Sequence, residues 1–223
     1  MCDRPATSRE HVPPRCFFPK VGDTRSGKDL RRNLISVPSC DEHNSAKSKD
    51  DEYLCFVVAF HFENNPTGAH SSAVKFLRAV KERQSLIHIL KNPFSVIVNG
   101  QPTIGFHVDR RRVDRVFDHI ARGLTFRHYG HKYTGKLKLL YPAMFDVTSA
   151  QRGEVNATSR QWLAESKAAL AKADRHGENQ DAFFYQVVDN SNDGRLLFRL
   201  TFFDGFIVDC LLTEAQFAIR SDA

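Results

Sequence analysis

Thr7-Ser8-Arg9-Glu10-His11-Val12-Pro13-Pro14 is the stretch that decides how the chain is read, together with Arg32-Asn33-Leu34 and Ser39-Cys40-Asp41-Glu42-His43-Asn44 downstream. A carboxylate stands beside an imidazole at positions 10 and 11. Pro13-Pro14 forces extended backbone after them and prevents a helix from starting. The spacing predicts a first strand ending at Glu10 and His11, with both side chains pointing into one site. Asn33 then opens Leu34-Ile35-Ser36-Val37, a short apolar segment predicted to be the second strand of a hairpin. Residues 19–32 form its polar and basic loop, punctuated by Gly22 and Gly27. A neutral His near pH 7 can deprotonate an attacking water, and a divalent cation takes oxygen ligands such as Glu and Asn while it polarises a phosphoryl oxygen. The residue types therefore point to hydrolysis.

These segments resemble the HNH (His-Me finger) endonucleases, in particular the subgroup whose signature runs Cys-x2-Cys, Glu-His-Val-Pro-Pro, Val-Pro-x-Cys-x2-Cys-Asn and Ser-Lys-Asp-Glu-Glu-Tyr. Glu10-His11-Val12-Pro13-Pro14, Val37-Pro38-Ser39-Cys40-Asp41-Glu42-His43-Asn44 and Ser48-Lys49-Asp50-Asp51-Glu52-Tyr53 stand at those places, in that order. The match covers roughly the first quarter of the chain. It implies a β-hairpin packed on one helix, with His11 as general base and Asn33 holding that imidazole in its productive tautomer. It also implies Glu10 and Asn44 as ligands of the catalytic cation. An amide oxygen is a weak ligand, so that cation is expected to be Mg²⁺ or Mn²⁺ supported by water and substrate phosphate. His43 competes with Asn44 for this place.

The soft and borderline ligands Cys2, Cys16, Cys40 and His43 could together close a structural Zn²⁺ site. Cys2 matches only the second Cys of the family's first pair. Either Cys16 substitutes for the first, or the sequence begins too late to include it, or no zinc is bound. A His43 that binds the catalytic ion cannot also close the zinc site.

Length and composition set the frame. The chain has 223 residues, 41% hydrophobic and 26% charged, which belongs to a soluble globular protein. It holds no apolar run of about 18 residues and no apolar leader core at Met1-Cys2-Asp3-Arg4-Pro5, so neither a membrane span nor export is expected and a cytoplasmic location is. Five Cys, an odd number, argue against a disulfide scaffold in a reducing compartment. The net charge of +6 is unevenly spread: residues 54–140 carry fourteen Lys/Arg against five Asp/Glu, and residues 141–223 carry eight against twelve. A basic middle third beside a phosphodiester-cleaving site suits a polyanion, because Lys and Arg supply the sequence-independent part of nucleic-acid affinity.

Further along, Leu54 to Phe60 is a dense apolar run, and Val74, Leu77 and Val80 recur at helical spacing with Lys75 and Arg78 on other faces. Phe94–Val98, Asn99-Gly100 and Gln101–Val108 read as a hairpin. Asp109 caps a helix striped by Val113, Val116, Phe117 and Ile120, which Gly123 is expected to end. Arg110, Arg111, Arg112 and Arg115 crowd its first turns against the helix dipole, and phosphate contact is the expected reason. Gly123 to Tyr133 interleaves aromatic and basic residues as a strand lying on nucleic acid would. Ser159 to Ala173 is predicted helical. Three strands, 183–188, 196–203 and 206–212, follow as a meander, with Cys210 in its core.

The sequence thus predicts an α+β chain: a ββα metal finger at 1–53, a basic helix and hairpin region at 54–150, and a helix with an antiparallel three-strand meander at 151–223. The expected function is metal-dependent hydrolysis of DNA, with the backbone held by Lys75, Arg78, Arg110, Arg111, Arg112 and Arg115. The rival is a non-catalytic, zinc-stapled nucleic-acid-binding or protein adaptor. Monomer and homodimer are both compatible with the sequence.

Overall fold

The computed structural model describes residues 5–40, 47–82, 88–90, 92–98, 101–142, 144, 152–190 and 194–213. Twelve helices and strands are described, in a mixed α+β arrangement whose sheets are all antiparallel. In chain order they are β1 (Ser8–His11), β2 (Ser36–Ser39), α1 (Ser48–Ala59), α2 (Pro66–Glu82), β3 (Phe94–Val98), β4 (Gln101–Gly105), α3 (Arg110–Tyr129), β5 (Lys136–Leu140), α4 (Arg152–Leu170), β6 (Phe183–Asn190), β7 (Arg195–Phe202) and β8 (Phe206–Thr213). Among the described residues, no helix is long and apolar enough to cross a membrane.

The stripe Val113, Val116, Phe117, Ile120 and Leu124 makes α3 the centre of the core, since all five are buried at helical spacing. Asp109 caps the helix, its side chain accepting from the N–H groups of Arg111 and Arg112. Gly130 ends it in a left-handed conformation at φ 79°. The helix therefore runs straight through Gly123, where an end was expected, and residues 123–129 of the strand expected at 123–133 are instead its last two turns. Gly123 has a packing duty: a Cβ there would stand 2.9 Å from Val12 Cγ2, so its lack of a side chain lets α3 approach β1.

On its other side α3 meets the sheet β5-β8-β7-β6. Leu196, Phe198, Leu200 and Phe202 of β7 face Leu212, Cys210, Val208 and Phe206 of β8 in register, and all eight are buried. Alternation with period two collects these side chains on one face. Phe117 joins helix to sheet, with ring centroids 6.0 Å from Phe202 and 6.2 Å from Phe206, and Phe17 reaches the same Phe202 at 4.9 Å. One cluster of buried residues thus runs from Val12 to Leu212. The meander and the buried Cys210 are as expected; β5, which pairs with β8, is an added edge strand that the sequence reading passed over.

The opposite face of the sheet carries a buried ion pair. Arg199 donates to both oxygens of Asp209 at 2.7 Å, and Asp209 also accepts from Trp162 Nε1 at 3.1 Å and Ser166 Oγ at 3.2 Å, which fastens α4 to the sheet. Every charged group is partnered, as burial of ions demands. Phe117→Ala is expected to cost about 3–5 kcal/mol, because it opens a cavity where helix and sheet meet. A urea titration showing a shift well under that range would remove Phe117 as the joint.

Candidate active site

β1 and β2 pair antiparallel, His11 opposite Ser36 and Glu10 opposite Val37, with Val12 N–H continuing the ladder to the Ile35 carbonyl at 2.9 Å. Successive strand residues point to opposite sides. Glu10 and Val12 face inward and line a cavity of about 190 Å³, together with Val37, Cys40, Lys47, His119 and Phe126. His11 is not among the lining residues. It shares the other face of the hairpin with Arg9 and Ser36, and Arg9 donates from Nε and Nη2 to Ser36 Oγ at 3.1 and 2.9 Å. The expectation that Glu10 and His11 point into one site is corrected here: the strand's pleat divides them.

A lysine joins Glu10 in the cavity. Lys47, immediately before α1, is 6% exposed, and its ammonium lies 2.5 Å from Glu10 Oε1 and 2.8 Å from Asp51 Oδ2. Carboxylates from a strand and from a helix thus converge on one cation position. Burial works against the Lys47 charge, but Asp51 and then Glu10 outweigh it, and the ammonium is held above its ordinary range. Burial raises Asp51 to about 6 against the pull of Lys47, with Glu10 and Asp50 adding to the rise. His119 of α3 is pushed down by burial and then by Lys47, and its Nδ1 is buried with no partner among the described residues.

His11 is also held below the usual imidazole range, first by burial and next by Arg15; Arg9 adds to this, while the Ile35 carbonyl and Glu10 oppose it. The ring is therefore mostly neutral at pH 7 and able to accept a proton. Its Nδ1 is buried without a hydrogen-bond partner among the described residues.

The remaining expected site residues scatter. Asn33, at φ 50°, donates from its side chain to Glu178 Oε2 at 2.6 Å, so the structure gives this amide to a carboxylate near β6 where a bond to the base was expected. Cys2, His43 and Asn44 lie outside the described residues. Cys40 borders the cavity, whereas Cys16 lies with Cys55 and Lys75: Lys75 Nζ donates to the Cys16 carbonyl at 2.9 Å and to Cys55 Sγ at 3.0 Å. The two described thiols of the expected zinc set, Cys16 and Cys40, therefore have different surroundings. Among the described residues, no group of three or more His, Cys, Asp and Glu stands close enough to hold a metal ion.

The expected phosphate-binding cations are largely neutralised within the protein. Arg78 makes two bonds to Asp23, Arg110 pairs with Asp114, and Arg112 and Arg115 share the two oxygens of Asp50 at 2.7 Å. The arginines at the start of α3 thus have a structural reason in Asp50 of α1, while Arg111 stays exposed. The sequence reading singled out neither Lys47 nor His119. Their signals were present: Lys47 and Asp51 stand four apart, and His119 lies one position from the buried Ile120.

Comparison of the chain with protein-family models, with curated proteins and with solved structures gives no match.

The raised Asp51 makes a testable pH prediction. Its carboxyl moves from an ordinary 3.8 to about 6, so its contribution to stability is full below the lower value and lost as pH rises through the upper. Relative to wild type, Asp51→Asn is expected to gain up to about 3 kcal/mol between pH 4 and pH 7. Parallel denaturation curves for the two proteins across that window would exclude the assignment.

Proposed function

We propose that this chain is a metal-dependent endonuclease of HNH type, hydrolysing phosphodiester bonds of DNA. One observation carries the reading: Glu10 from β1 and Asp51 from α1 converge on a single cation position, one residue along the strand from a neutral, half-buried His11. The order of the three motif segments, and a hairpin followed by a helix, support it. Once the Lys47 ammonium swings out from between them, Glu10 and Asp51 would offer hard oxygen donors to a Mg²⁺ or Mn²⁺ ion, with Asn44 as the third by the resemblance. Such an ion, when bound, polarises the phosphoryl oxygen and stabilises the leaving alkoxide.

The chain's own residues perform the rest. His11, kept neutral by burial and by Arg15, takes the proton of the attacking water. A phosphodiester lying across the end of β1 has the imidazole on one side of the strand and Glu10 on the other. Lys47 pairs with both Glu10 and Asp51 and offsets part of the burial that raises the Asp51 carboxyl. Asn33, bonded to Glu178, anchors the start of the segment that leads into β2, and through β2 it positions the hairpin.

His11→Ala is expected to abolish cleavage while leaving DNA binding largely intact, and Asn33→Ala to cost less. A His11→Ala protein that nicks plasmid at the wild-type rate would remove the mechanism. The second reading, a non-catalytic zinc-stapled adaptor, is favoured by the Lys47 ammonium that already fills the convergence point. Plasmid nicking in Mg²⁺, Mn²⁺ or EDTA, run beside elemental analysis, separates the two. Nicking lost in EDTA supports the enzyme, and zinc without metal-stimulated nicking supports the adaptor.

A further inference from the structure

We propose that the outer face of the β1–β2 hairpin, carrying Arg9, His11 and Ser36, with Arg15 just past the Pro13-Pro14 turn, is a binding site for a phosphate group of the nucleic-acid strand. This names the phosphate contacts of the site read above and rests on that reading for the identity of the ligand. The sequence pointed to helix arginines for this duty. Of those arginines, Arg112 and Arg115 are paired with Asp50 and Arg110 with Asp114, as Arg78 is with Asp23, while Arg111 stays exposed.

On the hairpin the balance is reversed. Arg9 lays its guanidinium across to Ser36, the residue opposite His11, so the fork is fixed beside the imidazole. Arg9 and Arg15 both bring positive charge against the His11 ring, and Arg15 does the same to Arg31, whose Nε is tied to the Phe18 carbonyl at 2.8 Å. Among the described residues, the nearby carboxylates are engaged elsewhere: Glu10 with Lys47, Asp23 with Arg78, Asp29 with Arg32. Among the described residues, no carboxylate pairs with Arg9 or Arg15, and both are exposed. Guanidinium groups gathered without counter-ions repel one another, and an oxyanion offered by a ligand relieves that repulsion. Ser36 Oγ, accepting from Arg9, keeps its own hydrogen to donate to the same oxyanion.

The test is binding without cleavage. A fluorescein-labelled single-stranded 12-mer is titrated in EDTA at several salt concentrations, with wild type, Arg9→Gln/Arg15→Gln and Arg32→Gln, the last removing a charge already paired with Asp29. The double variant is expected to bind about tenfold more weakly, with a salt slope lower by about two, and Arg32→Gln to stay within about threefold of wild type. Unchanged thermal melts show that the variants fold, and Arg9→Lys/Arg15→Lys should recover part of the affinity.

Inorganic phosphate, followed by amide resonances of Arg15 and Ser36 in wild type, distinguishes the two sources of the anion. Shifts with phosphate but no 12-mer binding keep the oxyanion site and assign it to free phosphate. A double variant that binds the 12-mer like wild type, or equal loss in Arg32→Gln, overturns the proposal. Failure of the hydrolase reading looks different: charge-dependent 12-mer binding persists, and no ion supports nicking.

Discussion

Everything in the molecule is arranged around the contact of Val12 with Gly123. A side chain at 123 would meet the valine at sub-contact distance, so glycine is what allows the central helix to lie against the first strand. From that approach follow the neighbours of Glu10: the cavity is walled by the strand on one side and by His119 and Phe126 of the helix on the other. The four-stranded sheet braces the helix from behind through Phe117, and Phe17 returns from the hairpin connection to the same sheet. The first forty residues therefore share their apolar interior with the rest of the chain.

Much of this architecture was legible from pattern. Period-two alternation marked the meander, helical spacing marked α2 and α3, and the Asp204-Gly205 pair stands in the tight turn between β7 and β8. Gly123 was misread because a glycine after an apolar stripe ordinarily signals a helix end, and only the tertiary contact with Val12 explains its place inside. β5 was passed over because Lys136-Leu137-Lys138-Leu139-Leu140 is short and is completed by pairing with β8, whose partner residues lie 69 to 77 positions away.

The site was legible in part. Glu10 and His11 were visible as chemistry-bearing neighbours, but the pleat places them on opposite sides, which residue identity alone does not announce. Lys47 and Asp51 stand four apart in a charged run, and burial beside Glu10 makes the three side chains one ionic cluster. The arginines of α3 looked unaccounted for until α1 supplied Asp50. Ion pairs between elements distant in sequence decide these assignments, and a linear reading sees only one partner of each.

The lysine between Glu10 and Asp51 also sets a rule for competition. Because a tethered monovalent charge already occupies the point where the two carboxylates meet, Na⁺ or K⁺ arriving there gains nothing that Lys47 does not give. Compensation of the two carboxylates therefore needs no ion from solution.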